Sequence, residues 1–192
     1  MTFSAIHRRS FLSGIAAFLV LVTVGLADDP APARDARRFE INFLTSMIDH
    51  HFGGVELAKL CVSRAIHPEL QKLCGDVSTA QMAEIAKMQG WLQSWYGITH
   101  EPALDGKTQR QIDVLSSMSG AAFEETFLAA LIGHHIEAIN MSVACLNEAY
   151  HAEMLNMCAM MLGSQGDEIA TMRIWLIQWY GITDPDRASH DE

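Results

Sequence analysis

The sequence predicts an all-α protein, a four-helix bundle made from two duplicated helical hairpins. Three observations carry this. Apolar residues recur at spacings of three and four through most of the 192 residues, the period of a helix with one buried face. Residues 39–99 align without a gap on residues 123–183 at an offset of 84, with 24 of 61 positions identical. That marks one structural unit used twice. The first unit breaks near its middle at Pro68, because a residue before proline avoids the helical region. Two such hairpins can bury their apolar stripes against each other.

Taken in order, residues 1–27 stand apart. His7-Arg8-Arg9 gives a positive start, Phe11 to Leu26 is apolar, and Gly25-Leu26-Ala27 supplies small residues before Asp28. This is the pattern of a cleaved export signal. The string RRSFL is similar to the twin-arginine signal of bacteria, with an ordinary secretory signal as the alternative. The mature domain is therefore expected to be 28–192, bacterial, and exported to the periplasm or beyond. Membrane attachment would come only through an uncleaved signal. A formal charge of −10 argues against nucleic acid or an anionic membrane as partner.

Residues 28–34 read as a linker. From Asp35 a first helix carries Phe39, Phe43, Met47, His50, Gly54, Leu57 and Cys61 on one face. A second helix, Glu69 to Tyr96, has the stripe Leu70, Cys74, Val77, Gln81, Glu84, Met88, Leu92 and Trp95, and Gly97 ends it. A connection with Pro102 and Gly106 follows, with a short helix expected over Thr108 to Met118. The second repeat then returns the pattern. The tail from Asp184 is polar and expected to be loose.

Two adjacent histidines occur at the same place in both repeats, His50-His51 and His134-His135. Polar rings within an apolar helical pattern are costly unless something pairs with them. Export makes disulfides the expected state of the four cysteines, with four thiols binding a soft metal as the alternative. If Cys61 bridges Cys74 and Cys145 bridges Cys158, each hairpin has a fixed register. His50 and His51 then face Ile85 and Glu84, and His134 and His135 face Ile169 and Glu168. Gln81 and Met88 lie one turn to either side, as do Gln165 and Met172. His50 and Cys61 are about 16 Å apart at about 1.5 Å per residue, so the cysteines cannot share a metal with the histidines of their own helix. His50 and His51 point about 100° apart, and one could act inside its hairpin while the other faces the neighbouring hairpin.

Met154, Met157, Met160 and Met161 recur at helical spacing. Thioethers suit Cu(I), but a methionine stripe is more often core filler. His67 and His151 read as helix-start residues, and Trp91, Trp95, Trp175 and Trp179 as packing at the bundle ends.

The strings FLTSMIDHH with QMAEIAKMQGW, and FLAALIGHH with QGDEIATMRIW, resemble the DUF305 family. The resemblance covers nearly all of the mature chain. It implies a ferritin-like four-helix bundle, commonly exported, some of whose members bind copper or silver through His and Met. The family's methionine before the histidine pair is Met47 in the first repeat but Leu131 in the second. The one after the pair is Leu57 in the first and Met141 in the second. The cysteine pairs are additions to the family pattern.

The sequence thus points to copper, or a similar soft ion such as silver, held for sequestration or for handover to a copper-handling protein. His50, His51, His134 and His135 are the expected ligands, helped by Met47, Met88 and Met172. Glu84 and Glu168 would ligate or orient the imidazoles. A metal-free, disulfide-stapled interaction module is the rival reading. A di-iron enzyme ranks last, because neither Glu84 nor Glu168 has a histidine three residues later.

Overall fold

The computed structural model describes residues 29–184, which form five helices and, among the described residues, no strand. The expected export segment at 1–27 and the tail beyond 184 lie outside the described residues. Helices α1 (Arg34–Arg64) and α2 (Pro68–Tyr96) make the first hairpin, and α4 (Gly120–Glu148) and α5 (Ala152–Tyr180) the second. The short α3 (Gly106–Ser116) connects them. It is started by Asp105, whose carboxylate accepts from the backbone N–H of Lys107 and Thr108, a standard helix cap. α2 and α5 stop at Gly97 and Gly181, with φ of 66° and 71°, the left-handed region that glycine enters without strain.

The hairpins meet chiefly where α1 lies against α4. The two helices run in opposite directions, so the first half of each repeat packs on the turn end of the other. Two separate apolar clusters result. One joins Phe43 and Met47 of α1 and Met88 and Leu92 of α2 to Cys145 of α4 and Met154 of α5. The other joins Phe127 and Leu131 of α4 and Met172 and Leu176 of α5 to Cys61 of α1 and Leu70 of α2. By the offset of 84 these are equivalent sets. Neither repeat owns a core; each cluster is half of each.

Both disulfides form as the spacing suggested, Cys61–Cys74 and Cys145–Cys158. The buried face of α1 is wider than the single stripe read from the sequence. Leu44, Ile48, His51, Val55 and Ala58 are buried as well, because α1 packs against α2, α3 and α4 at once. On α2, Ile85 takes the buried place expected of Glu84.

The hairpin turns are held from across the molecule. Glu40, fully buried on α1, accepts from the backbone N–H of Tyr150 and His151 at 2.7 and 2.9 Å and meets His151 Nδ1 at 2.7 Å. The Tyr96 hydroxyl donates to the same carboxylate. Glu124 repeats the arrangement with Ile66, His67 and Tyr180. His67 and His151 are indeed the residues that start α2 and α5, and neither caps its helix with its own side chain. The orphan N–H groups of a helix start need an acceptor; the other repeat's glutamate helps supply it. Trp95 lies flat on His151 at 3.8 Å, and Trp179 on His67 at 3.8 Å. Trp95 and Trp179 are end packing, as expected, and Trp91 and Trp175 stack on them. The glutamate–tyrosine latch was not anticipated, although Glu40/Glu124 and Tyr96/Tyr180 are identical pairs in the duplication.

Candidate metal centre

Between the two apolar clusters lies a polar layer, and the duplicated histidines make it. His50 and His134 face each other across the α1/α4 contact, with ring centres 3.7 Å apart and planes 27° apart. His51 and His135 flank them, each 6.1 Å from its chain neighbour. His51 Nε2 is 2.8 Å from Glu84 Oε2, and His135 Nε2 is 2.7 Å from Glu168 Oε2. The four rings therefore form one row running from Glu84 on one side to Glu168 on the other. The sequence places one histidine pair in each hairpin; packing of α1 on α4 brings the two pairs together. The hairpin register was right, since His51 meets Glu84 and His135 meets Glu168. The adjacent rings meet different partners: His51 and His135 a glutamate of their own hairpin, His50 and His134 each other.

The electrostatics follow from burial. His51 and His135 are fully buried, while Glu84 and Glu168 stay about a quarter exposed, at 25% and 27%. Burial, reinforced by the nearby rings of His51 and His135, pushes the His50 pKa down to about 3. Burial and the neighbouring His50 hold His134 well below the ordinary 6.5. Both are thus neutral imidazoles near pH 7, the form that ligates metals.

Hydrogen bonding then sets which nitrogen is free. His134 Nε2 donates to the backbone carbonyl of His50 at 3.0 Å, so its Nδ1 carries the lone pair. The carboxylates accept from Nε2 of His51 and His135, which leaves Nδ1 as the ring nitrogen not engaged. The Nδ1 atoms of all four rings, Nε2 of His50 and the Oε1 atoms of Gln81 and Gln165 are buried without a hydrogen-bond partner. Buried polar atoms are nearly always satisfied, so this concentration in one layer distinguishes it from the rest of the molecule. A carboxylate–histidine pair presenting the other ring nitrogen is the usual support of a metal ligand.

The methionines expected to help are placed less directly. Met47 and Met88 are fully buried in the first apolar cluster, and Met172 in the second. They border the layer rather than form it. Among the described residues, no group of three or more His, Cys, Asp or Glu side chains is arranged to hold a metal ion as it stands. The donors present, neutral imidazoles with thioethers nearby, suit a soft ion rather than a hard one. Gln81 and Gln165, expected one turn from the residues facing the histidines, also belong to the layer through their buried, unpartnered Oε1 atoms. Their duplication at 81/165 was the available signal.

The chain matches the profile of the domain of unknown function DUF305 over residues 40–176, and it belongs to that family. Among solved structures it is similar to CopM in the Cu(I)-bound form, with 29% identity, a TM-score of 0.67, and coverage of 74% of this chain and 98% of that one. CopM in the Cu(II)-bound form gives 26% identity, a TM-score of 0.67 and coverage of 73% and 97%. A DUF305 fragment from Deinococcus radiodurans shares the fold at 22% identity, with a TM-score of 0.65 and coverage of 77% and 97%. No curated protein matches the chain.

Proposed function

We propose that this chain is an exported, ferritin-like four-helix bundle that binds copper or silver for sequestration or for handover to another copper-handling protein. The mature domain would be residues 28–192, and the role that of a binding protein rather than an enzyme. The observation that carries the reading is the buried row of His50, His51, His134 and His135 with every Nδ1 unpartnered. Glu84 and Glu168 would orient His51 and His135. Met47, Met88 and Met172 would supply soft donors from the bordering clusters. The likeness to CopM in its copper-bound forms supports the choice of ion.

Because the described residues hold no ready-made cage, capture by the histidine row has to be accompanied by movement. The stacked rings of His50 and His134, each with an unpartnered Nδ1, are the side chains that would move. Titration of the purified protein with Cu(I) and with Ag(I), against a competing chelator, tests the proposal. Saturable binding by the parent chain, weakened in His50→Ala and in His134→Ala, is the expected result. Binding that is absent, or unchanged in both variants, would overturn it.

One observation favours the rival reading of a metal-free interaction module: the layer as it stands is also a set of two His–Glu pairs with buried imidazoles that could serve packing alone. That reading expects the histidine variants to change melting temperature and never metal content. Elemental analysis of protein taken from its native compartment separates the two.

A further inference from the structure

Outside the histidine layer, a groove of about 490 Å³ runs between α2 and α5. Its walls include Glu84 and Trp91 from α2, and Glu153, Asn156, Met157 and Met160 from α5. Three features set it apart. Met160 is 71% exposed, the most exposed large hydrophobic side chain among the described residues, while Met157 in the same groove is 6% exposed. They stand three residues apart, so one helical face presents both thioethers. Glu84 is shared: it forms part of the groove wall and also holds the fully buried His51 from outside. At the duplicated positions in the other repeat stand Leu73 and Asp76, so the thioether pair exists on one side of the molecule only.

Core packing does not account for a methionine left this exposed, and burial of Met157 alone would be served equally by the leucine of the first repeat. Thioether sulfur does not titrate and remains a soft donor at any pH, suited to Cu(I)-class ions. Two carboxylates, Glu84 and Glu153, face the groove against one ammonium, Lys87, which favours a cation. We infer that the α2/α5 groove is a loading site, in which Met157 and Met160 capture a soft monovalent cation and Glu84 connects it to the histidine row. This rests on the metal-binding reading and adds a direction to it: the pseudo-symmetric row is filled from the Glu84 end.

The test uses Ag(I), which is not redox-active under these conditions, on the purified chain with 13C-labelled methionine methyl groups. Sub-stoichiometric Ag(I) is expected to shift the Met157 and Met160 methyl signals. In stopped-flow mixing, the Met157→Leu/Met160→Leu double variant is expected to load severalfold more slowly, with its final stoichiometry at the histidines kept. Leucine for methionine conserves volume closely enough to keep the fold. Met82→Leu, a change at a residue 55% exposed and outside the groove, should load at the parent rate. Unmoved Met157 and Met160 signals, or an unaltered rate in the double variant, would overturn the loading site while leaving metal binding intact. A parent chain that binds no Ag(I) would overturn both.

Discussion

The carbonyl of His50 accepts from His134 because position 54 carries no side chain. A Cβ added to Gly54 would lie 2.2 Å from Gln81 Oε1 and 2.8 Å from His134 Cε1. The equivalent residue in the second repeat is Ala138. His134 thus reaches the backbone of α1. Gly54→Ala should cost about 1–3 kcal/mol, the usual penalty for overpacking, and move His134. Gly133→Ala, on an open face with nothing within 4 Å, should be neutral or stabilising by up to about 1 kcal/mol. Urea unfolding of both variants checks the contrast. A pH effect belongs to this scale too. The His50 pKa is lower in the folded chain, about 3, than the ordinary 6.5, so between those values the unfolded chain binds the extra proton. Stability of the metal-free protein should therefore fall as pH drops below 6.5. In His50→Leu the slope of stability against pH over about pH 4–6 should be shallower by up to about one proton.

At the level of elements, each hairpin is stapled beside its turn and held there by the opposite repeat. Each disulfide joins cysteines 13 residues apart, for which chain entropy gives about 3 kcal/mol. Replacing Cys61 and Cys74 together by alanine should cost at least that much, since both sulfurs are buried in an apolar cluster. Thermal melting reads the loss. The latch obeys a different rule. Burial alone would raise the Glu40 pKa, but the Tyr96 hydroxyl, the His151 ring and the N–H groups of Tyr150 and His151 together bring it below 4.5. A carboxyl lowered on folding stabilises the fold above its unfolded pKa and loses that contribution as pH falls through the folded value. Glu40→Gln should thus destabilise by about 3 kcal/mol near pH 7, the scale of breaking a buried pair. The difference from the parent chain should shrink in acid, as followed by chemical unfolding at stepped pH.

For the whole molecule, the two latches belong to opposite ends and to apolar clusters that share no residue. Effects of distant, independent sites add. The costs of Glu40→Gln and Glu124→Gln should sum in the double variant to within about 0.5 kcal/mol; a large excess would show that the ends communicate through the histidine layer. A ligand that binds the folded chain alone raises its stability. Cu(I) or Ag(I) should accordingly raise the melting temperature of the parent chain and leave that of His50→Ala/His134→Ala little changed.

Local features made the helices and the hairpin register legible. Pro68, Gly97 and Gly181 mark boundaries through backbone sterics alone, and the cysteine spacing placed His51 opposite Glu84 because two antiparallel helices joined by a short turn have one free parameter. The duplication itself announced that every feature of one repeat has a counterpart. What the sequence left open was how the repeats meet. Apolar stripes say that a face is buried, not which helix covers it, and the antiparallel contact of α1 with α4 depends on the fit of all four long helices at once. That contact stacks His50 on His134, joins two histidine pairs into one row, and sends Glu40 and Glu124 to the turns of the opposite repeat. Those partners are 111 and 57 residues away in the chain, beyond the reach of any local pattern. The residues that could bind an ion were determined by the sequence; their assembly into one layer was decided by tertiary packing.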